Sequence, residues 1–98
     1  MALTDEYNFE DLTNEAERLV LDELERQLRT LPPGADLHNE DTVLDIAAYA
    51  LNHVRPRYRV NLLGRLYAQN VDEAYAQEIE SAVSEAIRKV SSNPDRTR

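Results

Sequence analysis

The chain has 98 residues, of which 42% are apolar and 31% are charged, and its formal net charge is −8. This length suits one domain with one modest core, since a chain of this size buries roughly 60 to 70 per cent of its unfolded surface. Cysteine is absent, which excludes disulfides, thiolate zinc sites and thiol nucleophiles. Two glycines, five tyrosines and one phenylalanine are too few for an all-β sandwich, so helices are predicted.

The first predicted helix covers about 22 residues after Asn8. We expect Asn8 to be its N-cap, with Asp11 three residues later returning the hydrogen bond. Pro32 and Pro33 should end it, because proline cannot continue the backbone hydrogen bonds. Its apolar side chains recur at spacings of three and four and predict one buried face: Phe9, Leu12, Ala16, Leu19, Val20, Leu24, Leu28 and Leu31.

The second helix is predicted from the capping-box spacing of Thr42 and Asp45 to the break at Pro56. Its predicted apolar face is Leu44, Ala47, Ala48, Leu51 and Val54. Residues 57–68 are predicted to form a β-hairpin, with the turn at Gly64 and a returning strand at residues 65–68. An isolated two-stranded ribbon is marginal, so a second copy of the chain is expected to cover it.

The last helix is predicted to start at an Asn70 cap, with Glu73 three residues on. Its apolar face is Val71, Tyr75, Ile79, Ala82, Val83, Ala86, Ile87 and Val90. The predicted fold class is mainly α: a single domain of three helices with a short β-hairpin between the second and the third, forming a homodimer. The domain should cover residues 8–90, between an N-terminal tail (residues 1–7) and a disordered C-terminal tail (residues 91–98).

Positive charge is concentrated in one stretch, residues 46–71, which contains no Asp or Glu. Its four arginines, Arg55, Arg57, Arg59 and Arg65, give it +4, which leaves −12 for the rest of a chain of net charge −8. In an extended segment the first three would share one face about 6 to 7 Å apart, and guanidinium groups bind phosphates bidentately. The alternative is a solvated edge strand that its charges protect from aggregation.

Other functional classes have little support in the residues. The acidic net charge disfavours direct DNA binding and binding to acidic membranes. The absence of a long apolar run and of a signal-peptide pattern predicts a cytoplasmic protein. His38 and His53 lack the spacing of metal ligands, and no glycine-rich phosphate loop or nucleophile–base pair is recognisable. We therefore expect no catalysis, no metal and no cofactor.

Residues 44–67, LDIAAYALNHVRPRYRVNLLGRLY, resemble the core signature of the ComFB family. That signature is an Asp-Ile-Ala-x-x-Ala-Leu-Asn helix, a Pro-x-Tyr segment, a glycine turn and a Leu-Tyr pair, and the resemblance covers about residues 7–90. The corresponding residues here are Asp45, Ile46, Ala47, Ala50, Leu51, Asn52, Pro56, Tyr58, Gly64, Leu66 and Tyr67. Some members carry a zinc-holding cysteine cluster before the second helix; residues 34–41 lack it, so no zinc-dependent role is expected.

The resemblance implies a function, because ComFB proteins form dimers and some members, notably cyanobacterial ones, bind cyclic dinucleotide second messengers. The chain is therefore expected to be a receptor for cyclic di-GMP, or else for cyclic di-AMP, that signals through a regulatory protein. The alternative is a ligand-free dimeric helical interaction protein of competence or motility regulation. The expected ligand contacts are Arg55, Arg57, Tyr58, Arg59, Arg65, Asn52 and Asp45.

Three of these contacts have a second interpretation. Tyr58 lies between two arginines and is predicted to stack on a base, although aromatic residues in small helical domains more often pack in the core. The carboxylate of Asp45 could accept hydrogen bonds from N1 and N2 of a guanine base. The alternative is that Asp45 is the acidic residue of a capping box. Asn52 could hydrogen-bond the loop or cap the end of its helix.

Overall fold

The structure is a computed structural model that describes residues 2–31, 37–60 and 72–92. It confirms the mainly helical fold. Within those ranges no helix has the length and apolarity needed to span a bilayer. The elements in chain order are α1 (Leu3–Glu6), a 3-10 turn (Phe9–Asp11), β1 (Thr13–Asn14), α2 (Glu15–Arg29), α3 (Glu40–Leu51), β2 (Tyr58–Arg59) and α4 (Glu73–Ser91).

Helix α2 begins later than predicted. The side chain of Asn8 accepts from the backbone N–H of Glu10 at 2.9 Å and caps only the 3-10 turn. The chain then extends through β1, and Asn14 caps α2 by accepting from the N–H of Ala16 at 3.1 Å. One continuous helix from Asn8 was therefore a wrong prediction, and Leu12, assigned to its buried face, is 43% exposed.

Strands β1 and β2 form a two-stranded antiparallel sheet. Thr13 lies opposite Arg59, and Asn14 lies opposite Tyr58. Strand β2 falls within the stretch predicted to be a hairpin, while the predicted returning strand at residues 65–68 lies outside the described residues. The pairing that is described joins two segments that are far apart in the sequence, and it ties the start of α2 to the arginine-rich stretch.

Helix α3 differs from the prediction at both ends and in its buried face. Its N-cap is Asn39, whose side chain accepts from the N–H of Thr42 at 2.9 Å, so Thr42 is not the cap and is itself buried. The helix stops at Leu51, well before Pro56. Leu44 is 59% exposed, because the buried face is Ile46, Ala47 and Ala50 together with Val54 beyond the helix end.

The core lies where α2, α3 and α4 pack together, and Val20, Ile46 and Val83 are completely buried within it. The predicted apolar face of α4 is confirmed for its described members, which are buried or partly buried: Tyr75, Ile79, Ala82, Val83, Ala86, Ile87 and Val90. Asp72 caps α4 by accepting from the N–H of Tyr75 at 2.7 Å. The predicted cap, Asn70, was therefore wrong, and it lies outside the described residues.

Candidate functional site

The candidate site lies where residues 55–59, here called the arginine segment, cross the first turn of α4. Tyr75 is its centre. This side chain is only 3% exposed, and its hydroxyl donates a hydrogen bond to the backbone carbonyl of Arg55 at 2.6 Å. A core residue of α4 thus fixes the backbone of the arginine segment.

The Tyr75 ring also holds two guanidinium groups. The guanidinium carbon of Arg57 lies 4.9 Å from the ring centroid, and that of Arg55 lies 5.4 Å from it. Both distances suit cation–π contacts, which extend to about 6 Å. The structure therefore brings together two of the arginines that sequence reasoning selected.

The phenol of Tyr75 stays a hydrogen-bond donor at neutral pH. Burial raises its pKa, the positive charge of Arg57 opposes that shift, and Glu78 reinforces it. Arg55 and Arg59 act in the same direction as Arg57. Of these three arginines, Arg55 and Arg57 also contact the Tyr75 ring.

Glu78 positions Arg55 through two contacts. One carboxylate oxygen accepts from Nε of Arg55 at 2.8 Å, and the other accepts from its backbone N–H, also at 2.8 Å. Glu78 follows Tyr75 by three residues on α4, so both side chains lie on the same side of the helix. Sequence reasoning missed Glu78; the helical spacing shows that it neighbours Tyr75 but says nothing about Arg55.

Asn14 fixes the backbone of Arg57. Its side-chain oxygen accepts from the N–H of Arg57 at 2.8 Å as well as capping α2. The N–H of Glu15 in turn donates to the carbonyl of Arg57 at 2.7 Å. Both backbone polar groups of Arg57 are thus bonded to the start of α2, and this role of Asn14 was also missed.

We expect Asn14→Ala to lower the free energy of unfolding by about 1 to 3 kcal/mol, because two partly buried N–H groups lose their acceptor. Urea unfolding followed by circular dichroism measures this change. Asn14→Asp keeps the acceptor and should lose less. Asn8→Ala is the matched control, since Asn8 caps only an exposed 3-10 turn; an equal loss in the two alanine variants would contradict the bridging role of Asn14.

The arginine segment borders a recess of about 190 Å³ lined by Arg55, Pro56, Arg57, Asp72 and Tyr75. Pockets for whole small-molecule ligands usually measure about 300 to 1,000 Å³. This recess therefore suits one compact group more than a complete nucleotide, and two arginines and one carboxylate line it.

The other predicted ligand residues lie elsewhere. Arg59 donates from its guanidinium to the carbonyl of Tyr58 at 3.0 Å. The side chain of Tyr58 is 56% exposed and lines a separate, wider groove. Asn52 uses its amide to donate to the Ala48 carbonyl at 3.0 Å, so it caps the end of α3 as its structural interpretation predicted, and its contact with a ligand stays a prediction.

Two further residues were predicted to contact the ligand. Asp45 is half-buried on α3, and its contact with a ligand stays a prediction. Arg65 lies outside the described residues, as do Gly64 and Tyr67 of the resemblance. The site that the structure describes is thus built on Arg55, Arg57 and Tyr75, supported by Glu78 and Asn14.

Comparison with known proteins identifies one family. The family model described as late competence development protein ComFB matches residues 13–94, a range that runs from β1 past the end of α4 and includes the arginine segment. No curated protein and no solved structure matches the chain.

Proposed function

This chain belongs to the ComFB family of late competence development proteins, and on that basis we propose that it is a non-enzymatic receptor for a cyclic dinucleotide second messenger. The observation that supports this proposal best is the convergence of Arg55 and Arg57 on Tyr75 beside a small recess. Cyclic di-GMP is the favoured ligand, and cyclic di-AMP is the other candidate. A regulatory protein receives the signal.

The fixed backbone of the arginine segment favours binding of a small anion. The Asn14 side chain accepts from the Arg57 N–H, and the Glu15 N–H and the Tyr75 hydroxyl donate to the carbonyls of Arg57 and Arg55, so both backbones are held before any ligand arrives. Less conformational entropy is then lost on binding, and preorganisation of this kind raises affinity. The acidic remainder of the chain disfavours long polyanions such as DNA.

The polar groups around the recess support a receptor more than an enzyme. The Tyr75 hydroxyl is bonded to the Arg55 carbonyl, and a carboxylate oxygen of Asp72 is bonded to the Tyr75 N–H. A nucleophile or general base must instead be directed at the substrate. Among the described residues that line the recess, these two groups serve to hold the backbone.

A homodimer would complete the site. The recess is smaller than the pockets that hold whole small-molecule ligands, whereas a cyclic dinucleotide is a large ligand with two phosphates related by its own two-fold axis. Two protomers about a two-fold axis present each arginine segment twice. We therefore propose that the ligand lies at or beside a dimer interface and contacts Arg55 and Arg57 of both protomers.

Isothermal titration of the purified protein with cyclic di-GMP and cyclic di-AMP, in parallel, tests the receptor function. Binding of at least one of them is expected, with GMP and AMP at equal concentration binding more weakly because each supplies one phosphate. A protein that binds neither cyclic dinucleotide, by heat and by equilibrium dialysis, would refute the proposal.

The shared site predicts that the ligand strengthens the dimer. Two basic segments repel one another, and an anion between them removes that repulsion, so a ligand that prefers the dimer shifts the equilibrium toward it. Sedimentation velocity at low protein concentration, with and without cyclic di-GMP, measures the dimer dissociation constant. An unchanged constant at saturating ligand would place the site within one protomer.

The second candidate is a ligand-free interaction protein, and exposed apolar side chains favour it. Leu21 and Tyr58 are 50% and 56% exposed and line the same groove, as expected for a protein-binding surface. Substitution of Arg57 separates the two functions. In a receptor, the substitution should weaken nucleotide binding and thereby alter the response of the partner. In a ligand-free interaction protein there is no nucleotide binding to lose.

A further inference from the structure

A wide groove lies between the small sheet and α2, on a different part of the surface from the recess. It measures about 810 Å³. Its apolar lining comes from Leu12, Leu21 and Tyr58, which are 43%, 50% and 56% exposed. Three large apolar side chains that line one groove and remain exposed form a patch of the kind that binds another protein.

Acidic side chains line the same groove as this apolar patch. Glu15, Glu17 and Asp22 line the groove together with one cation, Arg18, so the lining carries a net charge of −2. The guanidinium of Arg18 is already engaged, since it donates to Glu15 and also to Asp22, the latter at 3.4 Å. The groove therefore combines an apolar contact surface with a net negative charge.

We propose that this groove is the docking surface for a basic amphipathic helix of a protein partner. An amphipathic helix laid in a groove places apolar anchors from one face on the floor and polar side chains on the rim, and basic side chains would pair with Glu17 and Asp22. A second copy of this chain fits less well. Both copies carry a net charge of −8, and two acidic rims facing each other would repel.

The groove and the recess share structural elements, so ligand binding at the recess is expected to affect partner binding in the groove. This expectation rests on the proposed receptor function. Tyr58 of β2 lies in the groove, directly between Arg57 and Arg59. Asn14 lines the groove and binds the backbone N–H of Arg57. A partner in the groove therefore contacts residues that lie in or hold the arginine segment, so the two sites are expected to be coupled, and by linkage the partner and the nucleotide change each other's affinity by the same factor.

A labelled peptide of about 18 residues, with leucines at helical spacing and lysines elsewhere, tests the docking surface. Its affinity for the full chain is measured by fluorescence anisotropy at physiological ionic strength. The control peptide carries glutamate in place of lysine and should bind at least about tenfold more weakly. Equal binding of the two peptides would overturn the charge complementarity.

Matched variants of the protein locate the binding site. Leu21→Ser should weaken peptide binding about fivefold or more, while Leu44→Ser, which changes a similarly exposed leucine outside the groove, should alter it less than about twofold. Glu17→Gln should weaken binding more than Glu73→Gln, although both remove an exposed first-turn glutamate. Equal effects within either pair would refute the proposed partner. The proposal would also be refuted if the peptide failed to bind and Leu21→Ser instead dissociated a homodimer, because a second copy of the chain would then occupy the groove.

Addition of cyclic di-GMP to the peptide titration tests the link to the recess. A changed peptide affinity is expected, and an unchanged one in protein that binds the nucleotide would overturn the coupling. If the peptide binds as predicted and the protein binds neither cyclic dinucleotide, the docking surface stands and the receptor function fails. The two proposals are thus separately refutable.

Discussion

Arg57→Ala is expected to weaken cyclic dinucleotide binding by about 10- to 150-fold, which corresponds to about 1.5 to 3 kcal/mol for hydrogen bonds to a charged group. Arg57 is the stronger test of the two central arginines, because Arg55 is also paired with Glu78 and that pairing complicates its loss. Titration calorimetry of the variant against the native protein measures the effect.

The same substitution should leave the fold nearly intact. The backbone groups of Arg57 are held by Asn14 and Glu15 whatever the side chain, so the lost cation–π contact should cost no more than about 1 kcal/mol. Arg57→Lys keeps the charge without the guanidinium fork and should bind with intermediate affinity.

The control variant is Arg29→Ala, which removes an exposed arginine from the end of α2 with the same change in net charge. It should retain native nucleotide affinity. If Arg29→Ala weakened binding as much as Arg57→Ala, the effect would be one of total charge. A large fall in thermal stability with unchanged binding would make Arg57 a structural residue.

Tyr75→Ala should produce the largest loss of stability among these variants, about 3 to 5 kcal/mol for truncation of a buried aromatic side chain. The side chain is 3% exposed, so its removal leaves a cavity in the core and also releases the Arg55 carbonyl. Small domains are stable by only about 5 to 15 kcal/mol, and the variant should therefore unfold at a much lower urea concentration.

Two further variants show which interactions of Tyr75 account for that loss of stability. Tyr75→Phe keeps the ring and removes only the bond to the Arg55 carbonyl, so about 0.5 to 1.5 kcal/mol is expected. Tyr58→Ala truncates an aromatic residue that is 56% exposed and should cost less than about 0.5 kcal/mol. Similar losses in Tyr75→Ala and Tyr58→Ala would show that Tyr75 is not a core residue.

Helices α2 and α4 were the parts of the fold that local pattern predicted best. Their buried residues, such as Val20 and Leu24 in α2 or Ile79 and Val83 in α4, recur at the helical period between polar neighbours. A pattern with a single apolar face leaves one way to bury it. In α3 both Leu44 and Ile46 are apolar, so the pattern allowed two faces, and packing against α2 and α4 selected the one with Ile46.

The start of α2 shows a second limit of prediction from local sequence. Asn8 and Asn14 are both good N-caps by residue type, and local preference does not choose between them. The choice depends on β1, which is extended because it pairs with β2. That pairing joins residues 13–14 to residues 58–59, and no apolar periodicity within residues 8–31 predicts it.

For the candidate site, the sequence by itself determined which groups carry the positive charge: the arginines of residues 55–59 stand out against an acidic chain. Tertiary structure decided what holds them. Tyr75 and Glu78 reach Arg55 from 20 and 23 residues away, and Asn14 reaches Arg57 from 43 residues away. Residue type and spacing determine charge and helical faces locally, whereas contacts at these separations exist only once the packing of α2, α3 and α4 has brought distant segments together.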